Sequence, residues 1–443
     1  MIKKYFLFSL ICLIISLNTF AQSYQLNAFN NVIFYDGYAA TKTTATPAGI
    51  VRLDNSRYAR KITPTEIASF NNTLSLEVKI NALCDNYDRQ GGVFFAFVPT
   101  GESITSPNKR TIEIGRYITP FMNMNVAPNE VTYQYDLNHL IGIFKDATFL
   151  QNNDIWVEFF LFGVPYAAQK EISGCAGRED VFQGTLNFRS DINAAIAQDY
   201  LPKPLWSRKR INKTNDSDFP GTAARMVSFS TDQDLVDAHV HLITSAHGAN
   251  TGGEEYVRRE HLVYFDDVEI LKYTPGGLSC EPFRKYNTQP NGIYGSSVQS
   301  TAWWAAWNNW CPGDKIPNRI IKLGNVVAGN HYLKISIPTG KFPNSNDEVI
   351  LSAFIYSKDN ALLDNKKVEV IDYVIYPNPT TDQITINATV DVKKTTIIDL
   401  NGKVLLNGSN KTINIQNLPA NTYILNVEFE NGVKTTEKII KTN

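Results

Sequence analysis

Apolar residues in this chain come in short alternations and runs rather than at helical spacing. Leu74–Ile80 (LSLEVKI) alternates apolar and polar positions, the period of a half-buried strand. Gly92–Val98 (GVFFAFV), Ile155–Phe162 (IWVEFFLF) and Val349–Tyr356 (VILSAFIY) are rich in aromatic and β-branched residues, which suit a pleated surface. Clusters of Asn, Asp, Gly and Pro bound these runs and supply turn chemistry. Many short strands with turns between them predict an all-β protein of sandwiches or jelly rolls. Two short helices are expected, over Pro64–Ser69 and Asp191–Gln198. Residues 198–226 are polar, carry three prolines and contain Arg208-Lys209-Arg210. They read as a boundary loop with a solvated basic triplet, an anion patch being the alternative. Residues 357–370 are polar and charged and read as a linker.

The two ends add a compartment. Lys3 and Lys4 precede the apolar run Tyr5 to Leu17, and Asn18-Thr19-Phe20-Ala21 leads to Gln22. That is the layout of a cleavable signal peptide over residues 1–21. The run is short for a membrane span, which needs about 20 residues. No other stretch is long and apolar enough to span a bilayer. With the signal removed, Cys84, Cys175, Cys280 and Cys311 remain. An even number in an exported chain reads as two disulfides, with three pairings open. Lys+Arg number 42 against 43 Asp+Glu, so no global field draws in nucleic acid or anionic lipid.

The last segment stands apart. It runs through Tyr376-Pro377-Asn378-Pro379, then Asp399-Leu400-Asn401-Gly402-Lys403, then Leu418-Pro419-Ala420-Asn421-Thr422-Tyr423, to a basic tail with Lys438 and Lys441. This order resembles the type A C-terminal sorting domain of the type IX secretion system. The resemblance implies passage across the outer membrane, removal of the domain, and a Bacteroidetes-type host. An Ig-like accessory domain that binds a ligand is the alternative.

Four features between the ends have chemical potential. Cys84-Asp85-Asn86-Tyr87-Asp88-Arg89 places two carboxylates and a guanidinium within five residues. Asp85 and Asp88 serve as turn formers in the plain reading. In the sharper one, Arg89 holds Asp88 ionised and the carboxylate activates water as a general base. Glu158 sits inside an aromatic strand, where a charge either faces solvent or needs a partner. His239 and His241 point to one face of a strand, a pair that binds copper or zinc or lies partly exposed. The absence of a C-x-x-C pair and of H-E-x-x-H argues against zinc. Trp303, Trp304, Trp307 and Trp310 offer flat faces for sugar rings, with two expected in the core and one or two on the surface.

Taken together, these pieces resemble the peptide-N-glycosidase F family over about residues 25–360. The resemblance is carried by CDNYDR at 84–89 and by Glu113-Ile114-Gly115-Arg116-Tyr117-Ile118-Thr119-Pro120-Phe121. It continues in Ile155-Trp156-Val157-Glu158, in the Ser245-Ala246-His247-Gly248 turn, and in Trp310-Cys311-Pro312-Gly313 followed by Ile316-Pro317-Asn318-Arg319. It implies two adjacent eight-stranded antiparallel jelly rolls, over 24–190 and 191–360, with the site at their interface. A linker over 361–369 and the sorting domain over 370–443 would follow. It puts the principal catalytic carboxylate on Asp88 with Arg89 beside it, and supporting acids on Glu158 and Glu255, with Glu254 a competitor for the last. Tyr87, Phe160, His247 and Trp307 would line the substrate. The resemblance also implies a Cys280–Cys311 bridge and leaves Cys175 as the partner of Cys84.

The chain departs from the family's pattern around the substrate. Tyr87 and Phe160 stand where Trp is expected, and Trp307 stands near the place of an Arg. The small disulfide loop around the second acid is missing, since Gly252–Val257 contains no Cys. The implied activity is hydrolysis of the side-chain amide of N-glycosylated Asn, with no metal and no cofactor. Its partners would be N-linked glycoproteins and the type IX machinery, and the product a secreted or surface-held monomer. Alternatives are a non-catalytic glycan-binding protein on the same fold and a copper monooxygenase of similar architecture.

Overall fold

Three antiparallel sandwiches follow one another along the chain. A computed structural model describes residues 23–212, 223–289, 293–358 and 373–443. The expected signal peptide and the 361–369 linker lie outside the described residues. In the first sandwich, one sheet has the order Tyr24–Tyr35, Asp180–Ser190, Ser75–Ala82, Glu130–Asp136. The alternation read at Leu74–Ile80 is realised here, with Leu76, Val78 and Ile80 buried and the residues between them facing outward. The opposing sheet runs Arg110–Ile118, Gln90–Pro99, Asn153–Leu161, Arg57–Lys61, Ile50–Asp54. Phe29, Phe34, Phe95, Phe97, Phe159, Phe182 and Phe188 fill the space between them, each fully buried. A buried Phe contributes about 1.5–3 kcal/mol, so these rings are a substantial part of what holds the first roll's two sheets together. Gln90–Pro99 is central in its sheet and covered on both faces, so its apolar run shows no alternation.

The second sandwich packs Leu201–Asn212, Glu348–Ser357, Leu235–His247 and Arg319–Val326 against Ala224–Thr231, Gly329–Ser336, His261–Phe265 and Val268–Tyr273. These two β-sandwiches are jelly rolls lying side by side. A two-residue strand, Lys315–Ile316, leaves the second roll and pairs with Tyr117 and Arg116, extending the first roll's sheet. Phe354 and Tyr356 of the second roll pack into the first roll's core cluster. His139 Nε2 lies 3.1 Å from His241 Nδ1 across the same seam. The third sandwich, Tyr373–Lys441, sits on the second roll, with Met226 in its core cluster and Tyr332 packed against that cluster. Among the described residues no helix is long and apolar enough to cross a membrane.

Two expectations are corrected. Pro64–Ser69 is helical, opened by a Thr63–Glu66 capping box, but 191–198 is not. There the Asp191 amide donates to Thr73 Oγ1 at 2.6 Å, and Asn193 takes the Ala195 amide. The first of these bonds, with that of the Asn193 amide to Asn72 Oδ1 at 2.6 Å, ties the segment to residues 72 and 73 in place of a helix's own ladder. The boundary loop starting at 198 is instead the twelve-residue strand Leu201–Asn212, with Arg208, Lys209 and Arg210 inside it. Its two prolines are tolerated because it lies at the edge of its sheet.

Candidate active site

The segment between Cys84 and Gln90 is irregular, and every part of it is pinned. Cys84 is bonded to Cys175 and Cys280 to Cys311. Asp85 is fully buried and acts as the turn's anchor, accepting from the Tyr87 amide at 2.9 Å and the Val164 amide at 2.7 Å. Thr119 takes the Arg89 amide at 2.7 Å and donates to the Tyr87 carbonyl at 3.2 Å. Asp88 is the residue held between these two anchors, half-buried at the seam of the two rolls.

Asp88 lies within electrostatic reach of Glu255 of the second roll. Burial first, and then the negative charge of Glu255, push the Asp88 carboxyl up to about 8 against the pull of Arg89. Burial likewise pushes Glu255 up to about 7, with Asp347 adding to the rise. The expectation that Arg89 keeps Asp88 ionised is therefore corrected. Arg89 donates through Nε to Asp85 at 2.6 Å and lies over the Tyr87 ring at 5.3 Å, so much of its charge is balanced by Asp85. The Tyr256 phenol is pushed up by burial, by Glu255 and by Asp88, so it stays protonated and shares a hydrogen bond with Glu255.

Adjacent in sequence, Glu254 and Glu255 are separated by function in the fold. Glu254 is buried, forms a bidentate pair with Arg259, and accepts the amides of Lys341 and Phe342 at 3.0 Å each. All its capacity is used inside the second roll. Glu255 is buried as well, but its side chain turns to Tyr256 instead of to Arg259. Asn309 fixes this turn by donating to the carbonyls of Glu254 at 2.8 Å and Glu255 at 2.7 Å. Trp310 Nε1 donates to the Ala246 carbonyl at 2.9 Å. Gly248 has φ of +125° and a side chain there would collide with Asp347 Oδ1, so the turn after His247 requires glycine.

Glu158 is buried on the outer face of the first roll's sheet, level with Phe94. Its charge is doubly paired, with Arg57 Nη1 and Lys109 Nζ both at 2.6 Å. Phe160, two residues on, is partly exposed and carries the guanidinium of Arg57 at 5.1 Å and of Arg208 at 4.6 Å from its ring centre. His247 is held neutral, pushed down to about 3 by burial and by Arg116 and Arg208. On the outer side of Glu255, Tyr256 meets Trp307 edge-on at 6.3 Å. Trp307 stacks with Trp303 at 6.1 Å on one face of the short helix Thr301–Trp307. Trp303 is 40% exposed, whereas Trp304 and Trp310 are buried, the division expected from the sequence.

Three residues at this seam were given no role in the site by the sequence reading. Gln90 donates to His247 Nε2 at 2.7 Å and to Ser245 Oγ at 3.2 Å. Arg116, fully buried, forks onto Glu113 and reaches Ser245 Oγ and the Ile350 carbonyl at 2.8 Å each. Arg208 binds Gln90 Oε1. Its signal was the basic triplet, misread as solvated. His239 and His241 lie at the roll–roll seam, His239 stacked on Tyr356 at 5.0 Å. Among the described residues no group of three or more His, Cys, Asp or Glu is arranged to hold a metal.

The comparisons with known proteins bear on both rolls and on the last sandwich. The model described as "Peptide-N-glycosidase F, N terminal" matches residues 25–175, and "Peptide-N-glycosidase F, C terminal" matches 216–356. "Secretion system C-terminal sorting domain" matches 374–442. The chain is 22% identical over 300 residues to peptide-N(4)-(N-acetyl-beta-D-glucosaminyl)asparagine amidase F of Elizabethkingia miricola, covering 63% of this chain and 71% of that one. Among solved structures it resembles PNGF-II, with a TM-score of 0.56 and 19% identity over 76% of this chain. It spans 65% of the length of PNGF-II. A recombinant peptide:N-glycanase F gives a TM-score of 0.50 at 16% identity, over 76% of this chain and 96% of that one.

Proposed function

Since the chain belongs to the peptide-N-glycosidase F family and carries a sorting domain for type IX export to the cell surface or beyond, we propose that it is an exported amidase. It hydrolyses the side-chain amide of N-glycosylated Asn, releasing a glycosylamine and leaving Asp. What supports this reading is a pair of acids, Asp88 and Glu255, one from each roll and near enough for the charge of Glu255 to raise Asp88, whose carboxyl is pushed up to about 8. A carboxylate with that proton affinity is a stronger base than an ordinary one and titrates near working pH. In its ionised form Asp88 takes a proton from water as the water oxygen bonds to the amide carbon. The carbonyl oxygen gains negative charge, which the Arg89 side stabilises. The carbon–nitrogen bond then breaks, and Asp88 returns the proton to the leaving nitrogen. Glu255 keeps the Asp88 proton affinity high and, with Tyr256, Trp307 and Trp303, offers polar and flat apolar surfaces to the sugars. Glu158, through its pairing with Arg57, fixes the floor beneath Phe160. Removal of the sorting domain after export belongs to the same reading, with the cut near residue 370, outside the described residues.

The test is digestion of a denatured N-glycoprotein in heavy-oxygen water. Free glycan together with heavy oxygen in a new Asp side chain is expected, and both should vanish with Asp88→Asn. No release by the wild type, or equal release by Asp88→Asn, would sink the reading. A non-catalytic glycan binder draws on the exposed Trp303 and the half-buried Trp307 alone and would retain glycan without releasing it.

A further inference from the structure

The sorting domain is seated on one face of the second roll, and specific groups make the contact. Met226 enters the sorting domain's core cluster beside Tyr373 and Ile375, and Tyr332 packs against that cluster. Met226 and Tyr332 stand on paired strands, Ala224–Thr231 and Gly329–Ser336. Charges surround this apolar patch. Asp266 and Asp267 form the two-residue turn between the strands His261–Phe265 and Val268–Tyr273, with φ of +47° and +67°. Two successive left-handed residues are what such a hairpin turn requires, and Asp tolerates them. Glu437 comes from the sorting domain's strand Lys434–Lys441, and the Tyr373 hydroxyl donates to it at 2.5 Å. Asp266, Asp267, His331, Tyr373, Lys434 and Glu437 line one cleft of about 310 Å³ between the two domains.

His331 carries the charge that balances this face. Its Nδ1 lies 2.6 Å from Asp266 Oδ2, and its Nε2 lies 2.8 Å from the Val327 carbonyl. Both partners are acceptors, so both contacts are hydrogen bonds only when both ring nitrogens are protonated. Burial works against that charge, but the Asp266 carboxylate and the Val327 carbonyl outweigh burial and raise His331. The other oxygen of Asp266 takes the Tyr332 amide at 2.9 Å, and Asp267 accepts from the Tyr332 hydroxyl. The imidazolium thus steadies the ring on which the sorting domain packs. Burial raises the Glu437 carboxyl, and the charge of Asp267 adds to the rise against the pull of Tyr373 and Lys334. Lys203 also faces His331, and Lys434 also faces the cleft.

We propose that the face of the second roll around Met226 and Tyr332 is a docking surface for the chain's own sorting domain, closed in mild acid and opened as pH rises. The sign follows from linkage. Glu437 is raised in the docked state, so it favours docking at and below its ordinary carboxyl range. That contribution is lost as pH rises through the raised value. His331 acts in the same direction. Once neutral, it gives up one of its two contacts and leaves Asp266 uncompensated beside Asp267 and Glu437. Three carboxylates then crowd one cleft, and their repulsion opposes the apolar contact of Met226 and Tyr332. Glycan release has no part in this device, so it stands or falls apart from the amidase reading.

The test is small-angle X-ray scattering of the full-length protein from about pH 5 to about pH 9, a window that brackets both groups. The particle should lengthen as pH rises and the sorting domain leaves the second roll. Met226→Asp puts a charge into the apolar patch and should be extended throughout. Glu437→Gln removes the titrating charge and should move the midpoint of lengthening upward by about one pH unit or more. Asp267→Asn should do the same, since Asn also accepts the left-handed backbone. Near-ultraviolet circular dichroism checks that each variant keeps its packing, and if Glu437→Gln does not fold, Asp267→Asn decides alone. Wild-type dimensions unchanged across the range would overturn the proposal. So would a midpoint that neither carboxylate variant moves. A Met226→Asp protein as compact in acid as the wild type would overturn the choice of surface.

Discussion

The side-chain amide of Gln90 donates to Nε2 of His247 across 2.7 Å, joining the strand that follows Asp88 to the strand that precedes Glu255. Because Arg208 donates to Gln90 Oε1, the orientation of the amide is set and its nitrogen must be the donor. His247 is then the acceptor at Nε2, in keeping with its neutral state. Gln90→Leu removes three bonds and leaves Arg208, Ser245 and His247 short of partners. It should cost about 1–3 kcal/mol of stability and lower kcat/KM by more than that loss alone explains, measured by denaturant unfolding beside initial rates.

The pH profile follows from the crowded acids. Asp88, pushed up to about 8, is protonated at neutral pH and becomes a base as pH rises. Log kcat/KM should therefore climb through pH 7–8 and then level, the apparent value belonging to the pair rather than to one residue. Glu255→Gln removes the like charge and should move the rise to lower pH while reducing the rate. Stability has the opposite sign. A carboxyl raised in the folded state contributes stability below its unfolded value that is lost as pH rises through the folded one. Asp88→Asn should thus raise Tm by about 2 °C or more above pH 8 and have less effect near pH 4. A flat rate profile from pH 6 to 9 would contradict the placement of these charges.

Glu254 and Glu255 should divide cleanly under mutation. Glu254→Gln breaks a buried bidentate pair and strips Arg259 of its partner, at about 3–5 kcal/mol. Folded Glu254→Gln protein should still turn over. Glu255→Gln should unfold like the wild type and lose most of its rate. Thermal scans and rates on the same samples decide this. Reversal of the two phenotypes would exchange their roles.

The Cys84–Cys175 bridge closes 91 residues and anchors the segment that presents Asp88. Replacing both cysteines by Ser should cost about 4–5 kcal/mol in the chain-entropy model and lower activity before global unfolding. The Cys280–Cys311 bridge spans 31 residues beside the Trp helix. Its removal should cost about 3–4 kcal/mol and act mainly on KM. Comparing rates with intrinsic fluorescence in each double-Ser variant separates the two effects.

What the sequence could reveal was whatever its own neighbours determine. Asp85, Asp88 and Arg89 lie within five residues, so their shared turn was legible, as was the alternation of Leu76, Val78 and Ile80. The state of Asp88 was not, because Arg89 turned to Asp85 and Glu255 arrived from the other roll. Arg208 was hidden for a similar reason. Its importance comes from a two-for-one bulge opposite Ser352 and from Gln90, some 118 residues away. The false helix at 191–198 shows the local limit, since Asn193 and Asp191 bonded to residues near 72 that no window of sequence brings into view.

The short pairing of Lys315–Ile316 with Arg116–Tyr117 bears on the order in which the molecule can be assembled. A chain entering a compartment from its N-terminus completes the residues of the first roll long before 315 arrives. Until then Arg116 and Tyr117, at the end of the strand Arg110–Ile118, lack the partner that Lys315–Ile316 supplies, a template for the wrong one. The two rolls are therefore not interchangeable parts to be produced separately. An N-terminal half ending before residue 315 should be prone to self-association, and adding the missing half in trans would have to compete with that. Completion of the fold then waits on the last piece to reach that edge.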